Sequence, residues 1–229
     1  MAVKPIQIHL ADTRHLRLTR AGQTLHTIED GTAVGLTHWL YAFSDNAVRP
    51  SSEITHPVSC TGTLFVLPLV GRAQVQLRTE QADVEAGQLY FVPVLAGDVV
   101  SVSNLFRNEW INYLLWEVPA VGHEQAGARC ADIELRPNEL HRLDCDANLG
   151  SVHIGQFAGR AEYTLDFAEA SDVFIFTIEG AFEVQNRLLH ARDGLSLPCA
   201  RCLEFEALSN NAIILVLSRG GLHQDRENG

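Results

Sequence analysis

The sequence predicts an all-β protein made of two tandem units with the same architecture. Nearly every apolar segment either alternates with period two or is a short apolar run bounded by Gly, Pro, Asn or Ser, which is the pattern of strands. No stretch keeps a helical period for three turns between good caps, and residues 137–142 make one short helix at most. A set of landmarks in the first half then recurs, in order, in the second. The length, 229 residues, suits one large β domain or two smaller units, either of which buries a core without disulfides.

The strands follow in order. Residues 35–43 form the first, 63–70 a fully apolar second, and 73–77 alternate strictly. Residues 89–92, 99–102 and 111–116 complete the set. The repeat is then visible: Gly-Arg-Ala-Gln-Val-Gln at 71–76 returns as Gly-Ala-Phe-Glu-Val-Gln at 180–185, each after an apolar strand. Gly87 with Leu-Tyr-Phe-Val-Pro at 89–93 matches Gly194 with Leu-Ser-Leu-Pro at 195–198. Val-Ser-Asn at 102–104 matches Leu-Ser-Asn at 208–210, and a last apolar strand follows each, 111–116 or 213–217. Upstream, 37–43 aligns loosely with 152–157. A strand–Gly–strand join needs a tight turn with positive φ, which Gly adopts without steric penalty, and the glycines before the next strands are expected for the same reason.

A repeat of this length is the duplication of a whole β domain, since solenoid repeats are much shorter. The chain divides into an N-terminal unit at 1–118, an Ala-, Gly- and Glu-rich linker at 119–136, a C-terminal unit at 137–220 and a polar tail at 221–229.

Composition narrows the function. Apolar residues are 46% and charged residues 20%, as in an ordinary soluble globular chain. The formal charge of −11, with no basic patch to offset it, argues against nucleic acid or an anionic membrane as partner. The apolar runs are too short to span a bilayer, and the first residues lack the apolar core of a secretory signal, so a cytoplasmic location is expected. Cys60, Cys130, Cys145, Cys199 and Cys202 are an odd set with no disulfide framework expected. Cys199 and Cys202 form a C-x-x-C, but no second pair completes a zinc site, and the segment reads as a turn entering a strand.

The element of apolar strand, Gly, turn, Gly, apolar residues and Pro resembles the cupins, whose fold is a double-stranded β-helix or jelly-roll barrel. Two in tandem make a bicupin. The stretch 173–185, continuing through 191–197 and preceded by 156–165, is similar to the C-terminal half of pirin-like bicupins. The resemblance covers roughly residues 30–220 and implies two tandem jelly-roll barrels.

Cupin enzymes hold a divalent metal with His-x-His-x(3,4)-Glu on one strand and a His from a second motif. Anchored on Gly71, the first ligand positions fall on Val58 and Cys60, and the glutamate position on Leu64. The second-motif histidine falls near Asp98. In the second half the glutamate position is Val173, and no histidine lies near Pro198. The expectation is therefore a bicupin without the standard metal site and with no cofactor. It would be a small-molecule-binding or regulatory, protein-interaction module, forming a homodimer if barrel edges pair. The alternative implied by the resemblance is a pirin-like dioxygenase acting on a flavonol such as quercetin. It would carry one divalent transition metal in the N-terminal barrel, held by His56, His38, Cys60 or Asp98 in a nonstandard geometry.

The candidate pocket is His38, His56, Cys60, Asp98 and Trp110. His56 and Cys60 are four apart and share a strand face if no bulge intervenes. Trp39, Trp110 and Trp116 either line an aromatic pocket or fill the core, and alternation puts Tyr113 on the face opposite Trp110, Asn112 and Trp116. Phe174, Phe176 and Phe182 are expected to fill the second barrel. No nucleophile elbow or phosphate loop is present, so no catalytic residue is assigned. Glu204 and Glu206 alternate with Leu203 and Phe205 and read as a solvated face.

Overall fold

The computed structural model describes residues 5–29, 39–120, 127–143 and 150–220. They form nineteen strands and one 3-10 turn at Ala11–Thr13; none of the described residues forms a helix long and apolar enough to cross a membrane. The first strands are β1 (Gln7–His9), β2 (His15–Leu18), β3 (Gly22–Ile28), β4 (Ala42–Val48), β5 (Ser52–Pro57) and β6 (Gly62–Val70). Next come β7 (Arg72–Leu77), β8 (Glu80–Glu85), β9 (Gln88–Val94), β10 (Val99–Asn104), β11 (Ile111–Pro119), β12 (Arg129–Asp132) and β13 (Glu139–Leu143). The last are β14 (Ser151–Phe157), β15 (Glu162–Glu179), β16 (Ala181–Val184), β17 (Arg187–His190), β18 (Gly194–Ala207) and β19 (Ala212–Gly220).

Two sheets make the N-terminal barrel: β12-β9-β6-β11-β4-β3-β2 and β5-β10-β7-β8. One curled sheet, β13-β14-β19-β15-β18-β16-β17 with β1 added at β18, makes the C-terminal barrel. All strand pairs are antiparallel. The duplication appears in the burial itself: β4 and β14 have the same inside–outside pattern along all seven residues.

Gly71 and Gly180 turn the chain at matching points, with φ of +79° and +78°. A Cβ there would meet Ile111 Cγ2 at 2.8 Å or Ser209 Oγ at 2.4 Å, so conformation and space both demand glycine. Gly87 also has positive φ, but Gly194 does not. A Cβ on Gly194 would press on the Phe174 ring at 3.1 Å, so the requirement there is close approach of an aromatic ring, not turn geometry.

Each barrel has an interior of its own, and a third apolar layer lies between the barrels. Leu64, Val66, Tyr113 and Leu115 fill the first interior with Val75, Val100 and Val102 from the facing sheet. Phe157, Val173, Ile175, Phe182 and Phe205 fill the second. The layer between joins Phe43, Phe65, Leu114 and Trp116 to Val152, Ile154, Phe174, Phe176 and Leu215. Phe43 stands at 4.9 Å from Phe174 and 4.8 Å from Phe176, ring centre to ring centre. Strand alternation thus separates the three phenylalanines expected together in the second barrel. Phe182 lies inside it, whereas Phe174 and Phe176 point the other way, into the shared layer.

A polar clamp sits at the edge of that layer. Asp45 Oδ2 accepts from Arg14 Nη1 at 3.4 Å and from Arg192 Nη1 at 3.2 Å, while Asn112 Nδ2 donates to Oδ1 at 2.7 Å. It joins the segment after β1, the N-terminal sheet and the turn before β18. The β1 strand itself pairs with β18, and the Ala11 N–H donates to Asp193 Oδ1 at 2.7 Å.

Two local expectations are corrected. Residues 137–142 are not helical: Glu139–Leu143 is β13, paired along its length with β14, because the sheet edge supplies hydrogen bonds that a one-turn helix lacks. Within 119–136, Arg129–Asp132 forms β12 on the edge of β9. Cys199 and Cys202 lie in β18 as free thiols, Cys199 at a kink with φ of +53°.

The shared layer predicts cooperative behaviour. Phe174→Ala removes a fully buried ring from it and should cost about 3–5 kcal/mol. Urea unfolding followed by tryptophan fluorescence, all of it from the N-terminal half, should register the full loss; a barrel-local effect would leave that signal unchanged.

Candidate functional site

The open end of the N-terminal barrel holds a cavity of about 530 Å³. Its wall follows from strand register. Arg17 on β2 pairs with Thr24 on β3, Thr24 with Asn46 on β4, and Asn46 with Tyr113 on β11. One step along, His15 pairs with His26, His26 with Ser44, and Ser44 with Leu115. One step further, Ala42 pairs with Glu117. Because alternate residues share a face, these three rows present their side chains to the same side. His56 reaches in from β5 in the opposite sheet, where Ile54 and His56 turn inward and Thr55 and Pro57 outward.

His56 and Tyr113 meet at the floor. Both are buried, and His56 Nε2 lies 2.6 Å from the Tyr113 hydroxyl. Burial first, then the neighbouring His26 and Arg17 charges, pushes the His56 pKa down to about 4. Burial pushes Tyr113 well above its ordinary value. A neutral imidazole and a neutral phenol therefore share this hydrogen bond at neutral pH.

Glu117 lies at the other end of the wall, 3% exposed. Its Oε2 accepts from the Ser59 N–H at 3.2 Å and from the Cys60 thiol at 3.7 Å. Burial first, then Glu117, pushes the Cys60 thiol up to about 12. It stays protonated and is a poor metal ligand or nucleophile.

The residues named from sequence fall in different places. His56 lines the cavity, and Cys60 reaches its wall through Glu117. Asp98 is elsewhere, in the turn before β10: Arg78 Nε donates to its Oδ1 at 3.1 Å, and the Leu95 N–H donates to Oδ2 at 2.8 Å. Desolvation acts upward on its pKa, but the Leu95 and Arg78 hydrogen bonds and the Arg78 charge hold it below the usual carboxylate value. Trp110 is half-exposed under the Arg49 guanidinium, beside a separate surface cleft with Asn112, Asp45 and Arg192. Val58 and Leu64 are buried in the barrel interior. His38 lies outside the described residues.

Sequence reading missed Arg17, His26, Ser44 and Glu117. The signal for Glu117 was a carboxylate inside an otherwise apolar strand, and for Arg17 the alternation His-Leu-Arg-Leu along β2.

A cupin metal centre needs several His and carboxylate donors on one point. Among the described residues no three His, Cys, Asp or Glu side chains are so grouped. His56 has one ring nitrogen engaged by Tyr113, Cys60 stays a thiol, and Asp98 is bound by Arg78. Of the four residues named for a metal, the three described ones, His56, Cys60 and Asp98, are thus not grouped on one point.

Three histidines, of which only His56 lines the cavity, give the fold a pH dependence. His9, His56 and His153 each have a pKa pushed down to about 4, with burial the first cause in all three. On unfolding each returns toward 6.5, so between about 4 and 6.5 the unfolded chain binds protons that the folded chain refuses. This stability is complete above about pH 6.5 and is lost as pH falls through the window, by up to about 1.4 kcal/mol per pH unit for each histidine. Urea midpoints should fall from pH 7.5 to 5, and His56→Gln should make the decline shallower. An unchanged slope in that variant contradicts the assignment.

Residues 146–217 match the family described as the quercetinase C-terminal cupin domain. No curated protein matches the chain in sequence. Among solved structures, YhhW from Escherichia coli is similar with a TM-score of 0.76 and 15% identity, over 96% of this chain and all of that one. A structure of that bacterial pirin in complex with nickel(II) gives 0.76 and 14%, over 95% of this chain and all of that one. Quercetin 2,3-dioxygenase from Acinetobacter baumannii gives 0.70 and 13%, over 95% of this chain and 86% of that one. At these identities the likeness is one of fold. In fold, then, the chain is similar to these pirin and quercetin dioxygenase structures, with a cupin jelly-roll architecture, and residues 146–217 match the quercetinase C-terminal cupin domain.

Proposed function

We propose that this chain is a binding or regulatory module that takes a small polar molecule into the mouth of its N-terminal barrel, with no resident metal. The supporting observation is the chemistry of the cavity wall. Buried polar groups (His56, Thr24, Ser44 and Glu117) line a space large enough for a metabolite. His56, Ser44 and Glu117 are held in place by protein hydrogen bonds, and hydroxyl and carboxylate oxygens keep further lone pairs with which to meet a polar ligand.

The competing reading is metal-dependent oxidation of a flavonol, suggested by the quercetin 2,3-dioxygenase among the similar folds. Two features of the cavity weigh against it. The described donors do not group as a metal site, and among the described residues no Trp or Phe lines the cavity, while the Tyr113 ring is buried beneath it and presents no face to stack on a flat ring.

Elemental analysis of protein purified without a histidine tag should find iron, nickel, manganese and copper well below one per chain. Stoichiometric metal that disappears in His56→Ala would overturn the binding-module reading. A thermal-shift screen of polar metabolites should find at least one that stabilises the wild type, with the shift reduced in Ser44→Ala.

A further inference from the structure

The charges around the mouth are unevenly satisfied. Every acid there is engaged. Glu29 accepts from His15 Nδ1 at 2.6 Å, Glu53 from Ser103 Oγ at 2.8 Å, and Glu117 from Ser59 and Cys60. The two arginines are not. Arg17 and Arg20 line the cavity, yet among the described residues neither makes a hydrogen bond or ion pair.

The charges are also separated in space. Arg17 shares its row with Thr24, Asn46 and Tyr113, and Arg20 lies in the turn just beyond β2. Glu117 is four residues further along β11 than Tyr113, about 14 Å at the usual strand rise. Between the two ends stand the hydroxyl and imidazole groups of Thr24, Ser44, His26 and His56, beside the apolar Leu115 and Ile54. The wall thus offers guanidinium donors at one end, hydroxyl partners in the middle and a carboxylate acceptor at the far end.

Resting on the reading that this mouth is the binding site, we infer that its ligand is a small polyhydroxylated carboxylate of the sugar-acid class, its carboxylate on Arg17 and Arg20 and its hydroxyls along Thr24 and Ser44. Guanidinium pairs with carboxylate through two parallel N–H···O bonds, stronger and more directional than neutral ones. Hydroxyl groups both donate and accept, which suits a wall that alternates Ser or Thr with histidine. An apolar planar ligand would leave all of these groups unmatched.

Calorimetric titration of the full chain at low salt tests this with D-galacturonate and D-gluconate, against D-galactose as the neutral control. The acids should bind and galactose should not. The double variant Arg17→Ala/Arg20→Ala should weaken binding of the acids by roughly tenfold or more, and Arg17→Lys by less. Both arginines are exposed, so the variants should keep the wild-type unfolding midpoint, which is measured alongside. Galactose binding as well as galacturonate, or acid affinity unchanged in the double variant, overturns the inference. So does the absence of binding by either acid at millimolar concentration. In each of these cases a Ser44-sensitive shift from another polar metabolite leaves the binding-module reading standing, whereas stoichiometric metal removes that reading instead.

Discussion

The architecture depends on one apolar layer, the face that the two barrels share. A β-barrel normally turns one face inward and leaves the other to solvent. Here the central strands β6, β11, β15 and β19 are apolar on both faces, one side packed within its own barrel and the other against the neighbouring barrel. Phe43, Trp116, Phe174 and Phe176 fill that shared face. Each barrel presents to water an apolar surface that it cannot leave exposed alone, so the duplication is a structural requirement as well as a repeat. The Asp45 clamp fixes the two halves laterally, where flat apolar packing alone is tolerant of sliding.

The same layer explains what the sequence discloses. Strands buried on both faces lose the period-two alternation and read as apolar runs, so 63–70 and 111–116 stand out at once. The recurring glycines are legible for a different reason, since a left-handed turn at Gly71 or Gly180 admits little else. Face assignment was harder. With Val173 to Ile178 all buried, nothing local tells which phenylalanines look into the barrel and which look across to its neighbour.

The site was the least legible part, because its chemistry is distributed over strands that meet only through pairing. His56 was named with Cys60, four residues further on, but β5 ends at Pro57, and the same counting no longer applies to Cys60. Asp98 looked like a ligand position by spacing from a glycine, yet a turn and Arg78 claim it. Arg17 belongs to the short strand β2, exposed on both faces, and His26 to a stretch of β3 that is half-buried on both, so neither gives a periodic signal. Glu117 was in plain view, a charge within an apolar run, which is a costly placement unless something uses it.

The pairing of β1 with β18 carries a further consequence. During vectorial synthesis the first strand leaves the ribosome roughly 190 residues before its partner exists. The N-terminal barrel can therefore close early, but its leading segment must wait, unlatched, until the final barrel has emerged. The pairing of β1 with β18 thus ties a strand that precedes the N-terminal barrel into the C-terminal one, and it can form only after both are made.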